Sequence, residues 1–499
     1  MPGPFAERVV VVGGGVAGLS AALALAAAGR QVTLCEAAAE VGGKARRLPS
    51  AAGPVDAGPT VLTMRPVFEE LFDAVGESLD AHVRMIRAEV LARHAWDDGS
   101  RLDLFAEAER SEAAVADFAG PRAAAEFRAF TARARLLFEA FEAPVMNNPR
   151  PTPLGVAGAV AGDALRLLPA MAPFSSMWRA VSAQFADKRL AQIFARYTTY
   201  VGGSPFLSPA IMVLIWRAEA AGVWYVDGGM AALALAIADL ATARGATIRR
   251  TTLVREIRVR AGRVIGVTLT DGEHVPADAV VFNGDPSALS GGLLGRAVLG
   301  AAPTLRLAQR SLSAWVWTFA GRPDGFALDH HNVFFSSDYR AEFDDIFRAR
   351  RLPREPTLYI CAQDRLPART PPDGLERLMM IMNAPATGDV APSPEEIEKC
   401  QRRVFDRLTR MGLTLTPPDP AEALTTPAEF ARLFPGTMGA IYGAAPHGTM
   451  ATFRRPMTRT RLPGLYLAGG GAHPGPGVAM SCLSGRLAAA AIISDRVST

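Results

Sequence analysis

The sequence predicts an α/β fold, in which a Rossmann-type nucleotide-binding domain carries an inserted mixed-sheet domain and a helical lobe. Three observations predict it. Val9–Val12 is an unbroken β-branched run that passes straight into Gly13-Gly14-Gly15. A second strand-like segment, Gln31–Cys35, follows an alanine- and leucine-rich stretch and has an acid, Glu36, at its end. Far along the chain, Leu465–Ala468 again delivers a glycine-rich turn and then a helical pattern, Ala479–Ile493.

Taken in order, Val9–Val12 reads as a strand buried on both faces. Val16–Ala28 has the composition of a helix, closed by Gly29. Gln31–Cys35 then completes a βαβ unit. Gly53–Thr63 is a loop punctuated by glycine and proline. Residues 107–220 read mainly helical, with breaks expected at Asn147–Pro153 and Pro169–Pro173. Asp227-Gly228-Gly229-Met230 opens a helix over Ala231–Arg244. A strand at Thr247–Arg250 follows, then a hairpin with arms Arg255–Arg260 and Val264–Thr270. Ala279–Phe282 is a further buried strand, ending in Asn283-Gly284-Asp285. Strand-like segments recur at Ser313–Phe319, Asn332–Phe335, Thr357–Ala362 and Met379–Met382, and suggest a mixed or antiparallel sheet in a separate lobe. Residues 394–412 read as a charged amphipathic helix.

A chain of 499 residues is too long for one simple core and implies two or three lobes. With 49% hydrophobic and 20% charged residues, it is a folded protein rather than a disordered one. Its mean hydropathy of +0.15 leans toward contact with something apolar. The net charge is +4, but the cations are nearly all arginine, the lysines being Lys44, Lys188 and Lys399. No basic run interleaved with aromatics occurs, so no nucleic-acid partner is expected. Cys35, Cys361, Cys400 and Cys482 lie far apart, with no CxxC and no His/Cys cluster. That argues against a zinc site or a disulfide framework, fits a reducing compartment, and leaves no metal expected. Met1–Arg8 lacks the long cationic region of a signal peptide. Leu154–Pro173, the most apolar long segment, contains Asp163 and Arg166, so no membrane-crossing helix is expected.

Gly13-x-Gly15-x-x-Gly18 lies between strand and helix. Gly13 permits the tight turn, Gly15 lets a pyrophosphate approach the backbone, and Gly18 lets helix and strand pack closely. Glu36 is placed to accept bonds from ribose hydroxyls. A second glycine pair, in Val41-Gly42-Gly43-Lys44-Ala45-Arg46, extends the site along a longer nucleotide. Gly464–Val478, with Gly469-Gly470-Gly471-Ala472-His473-Pro474-Gly475-Pro476-Gly477, brings a third glycine loop to the start of a helix. Free amides there suit phosphate and an electron-rich ring edge.

Over essentially its whole length the chain resembles the bacterial carotenoid desaturases of the phytoene-desaturase type. The likeness is carried by the glycine fingerprint, Gly42-Gly43-Lys44, Asp56-x-Gly58-Pro59-Thr60, Asp227-Gly228-Gly229-Met230 and Tyr466–Val478. Within that family it is most similar to the 1-hydroxycarotenoid 3,4-desaturases of purple bacteria. Gly58–Arg65, Arg196–Gly203, His330–Phe335, Tyr359–Arg365 and Ala451–Pro456 carry that closer likeness. Ala472 and Ala479 depart from the family, which usually has threonine and commonly proline there. The resemblance implies a discontinuous FAD-binding domain (residues 1–75, 225–300 and 455–499) and a substrate-binding sheet domain (76–110 and 301–454). Residues 111–224 would form a helical lobe in contact with a membrane. The implied cofactor is FAD, held by Gly13, Gly15, Val16, Ala17, Gly18, Glu36, Gly43, Lys44, Arg46, Gly58, Pro59, Thr60, Val254, Gly470, Gly471, Gly477 and Val478.

The implied reaction removes two hydrogens from C3 and C4 of an acyclic carotenoid carrying a 1-hydroxy or 1-methoxy group. Hydride goes to the flavin, a proton leaves the neighbouring carbon, and oxygen or a quinone is the final acceptor. Since positioning does most of the work, no catalytic base is required. His473 is the weak catalytic candidate, by its place in the flavin loop. Trp216, Trp224, Tyr225, Trp315 and Trp317 are read either as tunnel lining or as ordinary core. Residues 149–173, with Phe174 and Trp178 beyond, are read either as a membrane-dipping segment or as a buried helix pair. The implied location is cytoplasmic, peripheral to the inner photosynthetic membrane. A phytoene desaturase, a carotene isomerase, an amine oxidase and a nonenzymatic prenyl-lipid carrier of the same fold are the alternatives.

Overall fold

The computed structural model describes residues 7–367, 372 and 374–497. The chain-end part of the Met1–Arg8 reading lies outside these residues. A five-stranded parallel sheet runs in the order Leu465–Leu467, Ala279–Phe282, Arg8–Val12, Gln31–Cys35, Thr247–Arg249. The β-branched run explains its centre: Val9 and Val11 face one layer while Val10 faces another. On the first side, helices Val16–Ala27, Met230–Ala243 and Val478–Val497 pack on Val9, Val11, Leu34 and Val281. On the second, the antiparallel sheet Val254–Arg260, Arg263–Leu269, His274–Pro276 covers Val10, Val280, Phe282 and Leu465.

The second large sheet has seven strands, in the order Leu424–Thr425, Ser313–Gly321, Glu376–Ala384, Leu358–Ala362, His331–Phe334, Val90–Ala95, Arg101–Phe105. Its two faces are assigned by simple alternation. Trp315, Trp317, Met380 and Met382 turn outward against helix Pro394–Arg410. Ala314, Val316, Met379 and Ile381 turn inward, with Val316 and Ile381 in direct register. Strands Val90–Ala95 and Arg101–Phe105 complete this sheet; the sequence reading assigned residues 76–110 to the sheet domain without delineating these strands.

Over the inward face lies a helical layer with its own aromatic core of Phe127, Phe130, Phe185, Phe194 and Trp216. The expected break at residues 147–152 is present. The break expected at Pro169–Pro173 is present too: helix Ala164–Met171 contains Pro169 and ends at Ala172, which has left-handed φ of 43°. The outermost segment is bent by 60° between Pro153–Ala159 and Ala161–Met171. Among the described residues one helix, over Val478–Asp495, is long and apolar enough to cross a membrane by length and composition. It is packed into the core: a Cβ on Gly485 would lie 2.1 Å from the carbonyl oxygen of Ala17.

Candidate active site

The parallel sheet ends at a cavity of about 1130 Å³. This exceeds the ~300–1,000 Å³ of ordinary ligand sites. Four strand ends and loops, remote in sequence, build its near wall. Gly13 turns with φ of +101°. Helix Val16–Ala27 then starts on Gly15, with no side-chain cap and no acid in its first turn. Val16 and Ala17 of its first turn line the cavity, so their amides and the helix dipole offer an anion site there. A Cβ on Gly15 would stand 2.9 Å from Asn283 Oδ1, so only glycine leaves this approach clear.

Glu36 follows at the end of its strand. The amides of Gly14 and Ala38 donate to its two carboxylate oxygens at 2.6 and 2.7 Å. A carboxylate has about four acceptor positions, so both oxygens keep capacity for ribose hydroxyls. The second glycine pair lies alongside, Gly42 donating to the Gly14 carbonyl at 2.8 Å. Lys44 projects into the cavity. Its ammonium donates to the Ile441 carbonyl at 2.5 Å and lies 5.4 Å from the centre of the Phe434 ring. It is accessible from the cavity, and the protein packed around it lowers its pKa by desolvation. Gly58 presses on the same loop: a Cβ there would fall 1.8 Å from the Lys44 carbonyl oxygen.

The third glycine loop closes the wall. Gly469, Gly470, Gly471, Gly475 and Gly477 line the cavity, and helix Val478–Val497 begins on it. Arg455 fixes the loop from behind. Its buried guanidinium donates to the carbonyls of Gly470 at 2.7 Å, Ala444 at 3.1 Å and Tyr442 at 3.3 Å. Burial lowers its pKa to about 10. Two motifs that look separate in sequence are joined here, since Asp56 Oδ2 accepts the amide of Met230 at 2.8 Å.

Of the implied cofactor contacts, Gly13, Gly15, Val16, Ala17, Glu36, Gly43, Lys44, Arg46, Gly58, Pro59, Thr60, Gly470, Gly471, Gly477 and Val478 meet at this cavity. Gly18 stands behind it, its amide bonded to Asn283 Oδ1 at 3.0 Å. Val254 does not reach it, being buried at the start of its strand against the parallel sheet. His473 is also turned away. It is fully buried, its Nε2 lies 2.9 Å from the Asn148 carbonyl, and burial lowers its pKa. None of the five aromatics considered as tunnel lining reaches the cavity; Trp317 donates to Gln401 at 2.9 Å and Trp216 to Thr131 at 3.1 Å within the core.

Asn283 is the site residue the sequence reading passed over; only its place at a strand end, before Gly284, signalled it. The structure also gathers a His/Cys group that spacing did not reveal. His330, His331 and Cys361 hold ligand-type atoms within 4.8 Å of one another. They are bonded internally: His330 Nδ1 lies 3.1 Å from the Arg365 carbonyl and its Nε2 3.4 Å from Cys361 Sγ.

The far part of the cavity is apolar. The sheet gives Val316, Val333, Met379 and Ile381, and the helical layer gives Ile211, Met212 and Ile215. The bent segment closes it with Val156, Val160, Leu167 and Met171.

An uncapped glycine-started helix, a ribose-directed carboxylate and two further glycine loops around one large cavity define a dinucleotide-dependent oxidoreductase. The chain belongs to the flavin-containing amine oxidoreductase family, whose model matches residues 16–493, and its cofactor is FAD. It is 50% identical over 492 residues to hydroxyneurosporene desaturase of Cereibacter sphaeroides, covering 98% of both chains. It is 48% identical to hydroxyneurosporene desaturase of Rubrivivax gelatinosus, covering 99% of this chain and 94% of that one. Among solved structures, cyclohexylamine oxidase of Brevibacterium oxydans shares the fold, with a TM-score of 0.57 at 16% identity over 99% of this chain and all of that one.

Proposed function

We propose that this protein is an FAD-dependent desaturase that forms the C3–C4 double bond of an acyclic carotenoid bearing a 1-hydroxy or 1-methoxy group. The observation that carries the reading is the continuity of the cavity, from the glycine loops to a long apolar end. It is supported by the near-full-length similarity to desaturases of that substrate class. FAD supplies a two-electron acceptor for the hydride, the second hydrogen departs as a proton, and oxygen or a quinone takes the electrons in turn. The chain's own residues bind and exclude water. Val316, Met379 and Ile381 offer a flat apolar floor to a polyene, with Ile211 and Ile215 above it. Positive charge left on the polyene spreads over conjugated carbons and meets aliphatic walls rather than water.

The same segment that closes the cavity supports a membrane route for the substrate. Leu154 is 87%, Leu165 93% and Phe174 90% exposed, while Val156 and Leu167 of the same segment face inward. A helix pair that is apolar on both sides suits a lipid surface outside and a lipid-dissolved substrate inside. These exposed residues support the reading of a peripheral membrane protein, and we propose that it acts from the cytoplasmic side.

The test is incubation with FAD and lipid, separately with 1-hydroxyneurosporene and with phytoene, reading products by absorption and mass. The expected result is loss of two hydrogens and a red-shifted spectrum from the hydroxylated substrate only. Turnover of phytoene alone would assign a phytoene desaturase. A colourless protein that turns over neither would assign a carrier.

A further inference from the structure

One part of the cavity wall carries polar groups that a hydrocarbon has no use for. Arg196 and Tyr200 stand on the short helix Arg196–Val201, Thr60 on the loop after Gly58, and Tyr359 on strand Leu358–Ala362; all four line the cavity. Arg196 donates from Nη2 to the Tyr200 hydroxyl at 2.8 Å, in front of Tyr197, which donates to Glu219 at 2.6 Å. The hydroxyls of Thr60 and Tyr359 are 2.7 Å apart, and His331 Nδ1 lies 2.7 Å from the same Tyr359 oxygen.

The two groups are neighbours. Burial, with Cys361 and Tyr200 adding to it, raises the Tyr359 pKa, and burial, with His330 and Arg196 adding to it, keeps His331 neutral. Behind this wall Glu219 and His331, which do not line the cavity, hold the tyrosines in place. Polar groups on an otherwise apolar wall lose water when a hydrocarbon covers them, a cost that a ligand oxygen bonding to them offsets.

Location narrows what that ligand group is. Thr60 belongs to the loop whose Gly58 packs on Lys44. On the other flank, a Cβ on Gly202, just past Tyr200, would lie 2.9 Å from Tyr442 Cβ, and one on Gly443 would lie 3.1 Å from Gly471 Cα. The polar patch is thus linked to the glycine-loop walls through packed neighbours on each flank, Gly58 on Lys44 on one and Gly202, Tyr442 and Gly443 on Gly471 on the other. In the proposed substrate the oxygen on C1 is four bonds from C4, a reach of about 5 Å. Whatever holds that oxygen must lie next to the redox site and not at the distant apolar end. Four segments remote in sequence meet at this patch. They are the stretches around Thr60, Arg196, His331 and Tyr359, among those that carry the likeness to the 1-hydroxycarotenoid desaturases.

We propose that Tyr200 and Tyr359, backed by Arg196 and Thr60, form the subsite that binds the oxygen substituent at the reacting end of the substrate. The assignment rests on the desaturase reading above. A substrate lacking that oxygen strips the patch of water without bonding to it, which is how a site built for a hydroxyl rejects the analogue without one.

The test uses the purified FAD-loaded enzyme and its Tyr200→Phe and Tyr359→Phe variants. Each is given 1-hydroxyneurosporene and the same carotenoid without its hydroxyl, in lipid. Dissociation constants come from the shift in polyene absorption, and kcat and KM from product formation. The expected result is about a tenfold fall, in each variant, in the preference for the hydroxylated carotenoid, expressed mainly in Kd and KM. An equal loss with both carotenoids, or no loss, would overturn the subsite and leave these residues a structural network. A wild-type enzyme inactive on the hydroxylated carotenoid would overturn the desaturase reading, and the subsite with it. Thr60→Val decides the question from the other side of the bond if a tyrosine variant fails to retain flavin.

Discussion

Asn283 accepts the amide of Gly18 at 3.0 Å and donates from the same side-chain amide to the Ala468 carbonyl, also at 3.0 Å. One residue thus ties the first glycine turn to the strand that carries the last one. Asn283→Ala removes both bonds, each worth about 1 kcal/mol. We expect FAD affinity to fall at least tenfold, measured by flavin fluorescence titration. Asn283→Asp should fall further, since it cannot donate to Ala468 and adds negative charge near the phosphate approach.

Gly58→Ala tests the second wall. The new Cβ meets the Lys44 backbone, which cannot yield as a flexible side chain would. Overpacking of this kind costs about 1–3 kcal/mol. The expected outcome is a chain that still melts cooperatively but retains at least tenfold less flavin, read from the ratio of flavin to protein absorbance.

Leu154 and Leu165 are exposed and do not line the cavity. Replacing both with glutamate removes about 3–6 kcal/mol of burial at a lipid surface. Co-sedimentation with anionic and neutral vesicles should weaken at least a hundredfold. Turnover of detergent-dispersed carotenoid should persist. Unchanged vesicle binding would place the membrane contact elsewhere.

Glu342 is buried, and burial raises its pKa to about 7 despite the bond from Thr357 and the nearby Arg407. The folded protein therefore holds this proton more tightly than the unfolded chain, whose glutamate titrates near 4.5. Its contribution to stability is full below about pH 4.5 and is lost as pH rises through about 7. The loss is of order 3 kcal/mol. Buried His330, with its pKa lowered to about 4, acts in the opposite sense and loses stability as pH falls below 6.5. Glu342→Gln isolates the first effect. Its melting temperature relative to wild type should rise between pH 5 and 8.

Much of the parallel sheet was legible because continuous apolar runs such as Val9–Val12 and Ala279–Phe282 admit no amphipathic reading, and Gln31–Cys35 follows one helix after the first of them. The observed strands Gln31–Cys35 and Ala279–Phe282 match those limits. Val90–Ala95 and Arg101–Phe105 were missed because Arg93, His94 and Asp103 break the apolar pattern. In the fold, Arg93 and Asp103 pair with each other and His94 Nδ1 donates to the Leu102 carbonyl within the sheet. The tryptophans illustrate a different limit. Trp315 and Trp317 alternate with Val316, so one face had to take the indoles, but which face met the cavity depended on helix Pro394–Arg410. Arg455 was legible as part of a motif and not as a brace, because the three carbonyls it holds belong to other segments. His473 shows the reverse error: its place in the loop was right, while its side chain points into the protein, toward Asn148.

The order of strands in the parallel sheet also fixes when the protein can become functional. Leu465–Leu467 pairs with Ala279–Phe282, so until the last part of the chain leaves the ribosome, that inner strand is a bare, apolar edge. At about 5–20 residues per second, translation of the intervening stretch holds the edge open for roughly ten seconds or more. The nascent chain therefore passes through an aggregation-prone interval that cofactor cannot shorten, and flavin capture becomes the step that locks the two ends of the chain together.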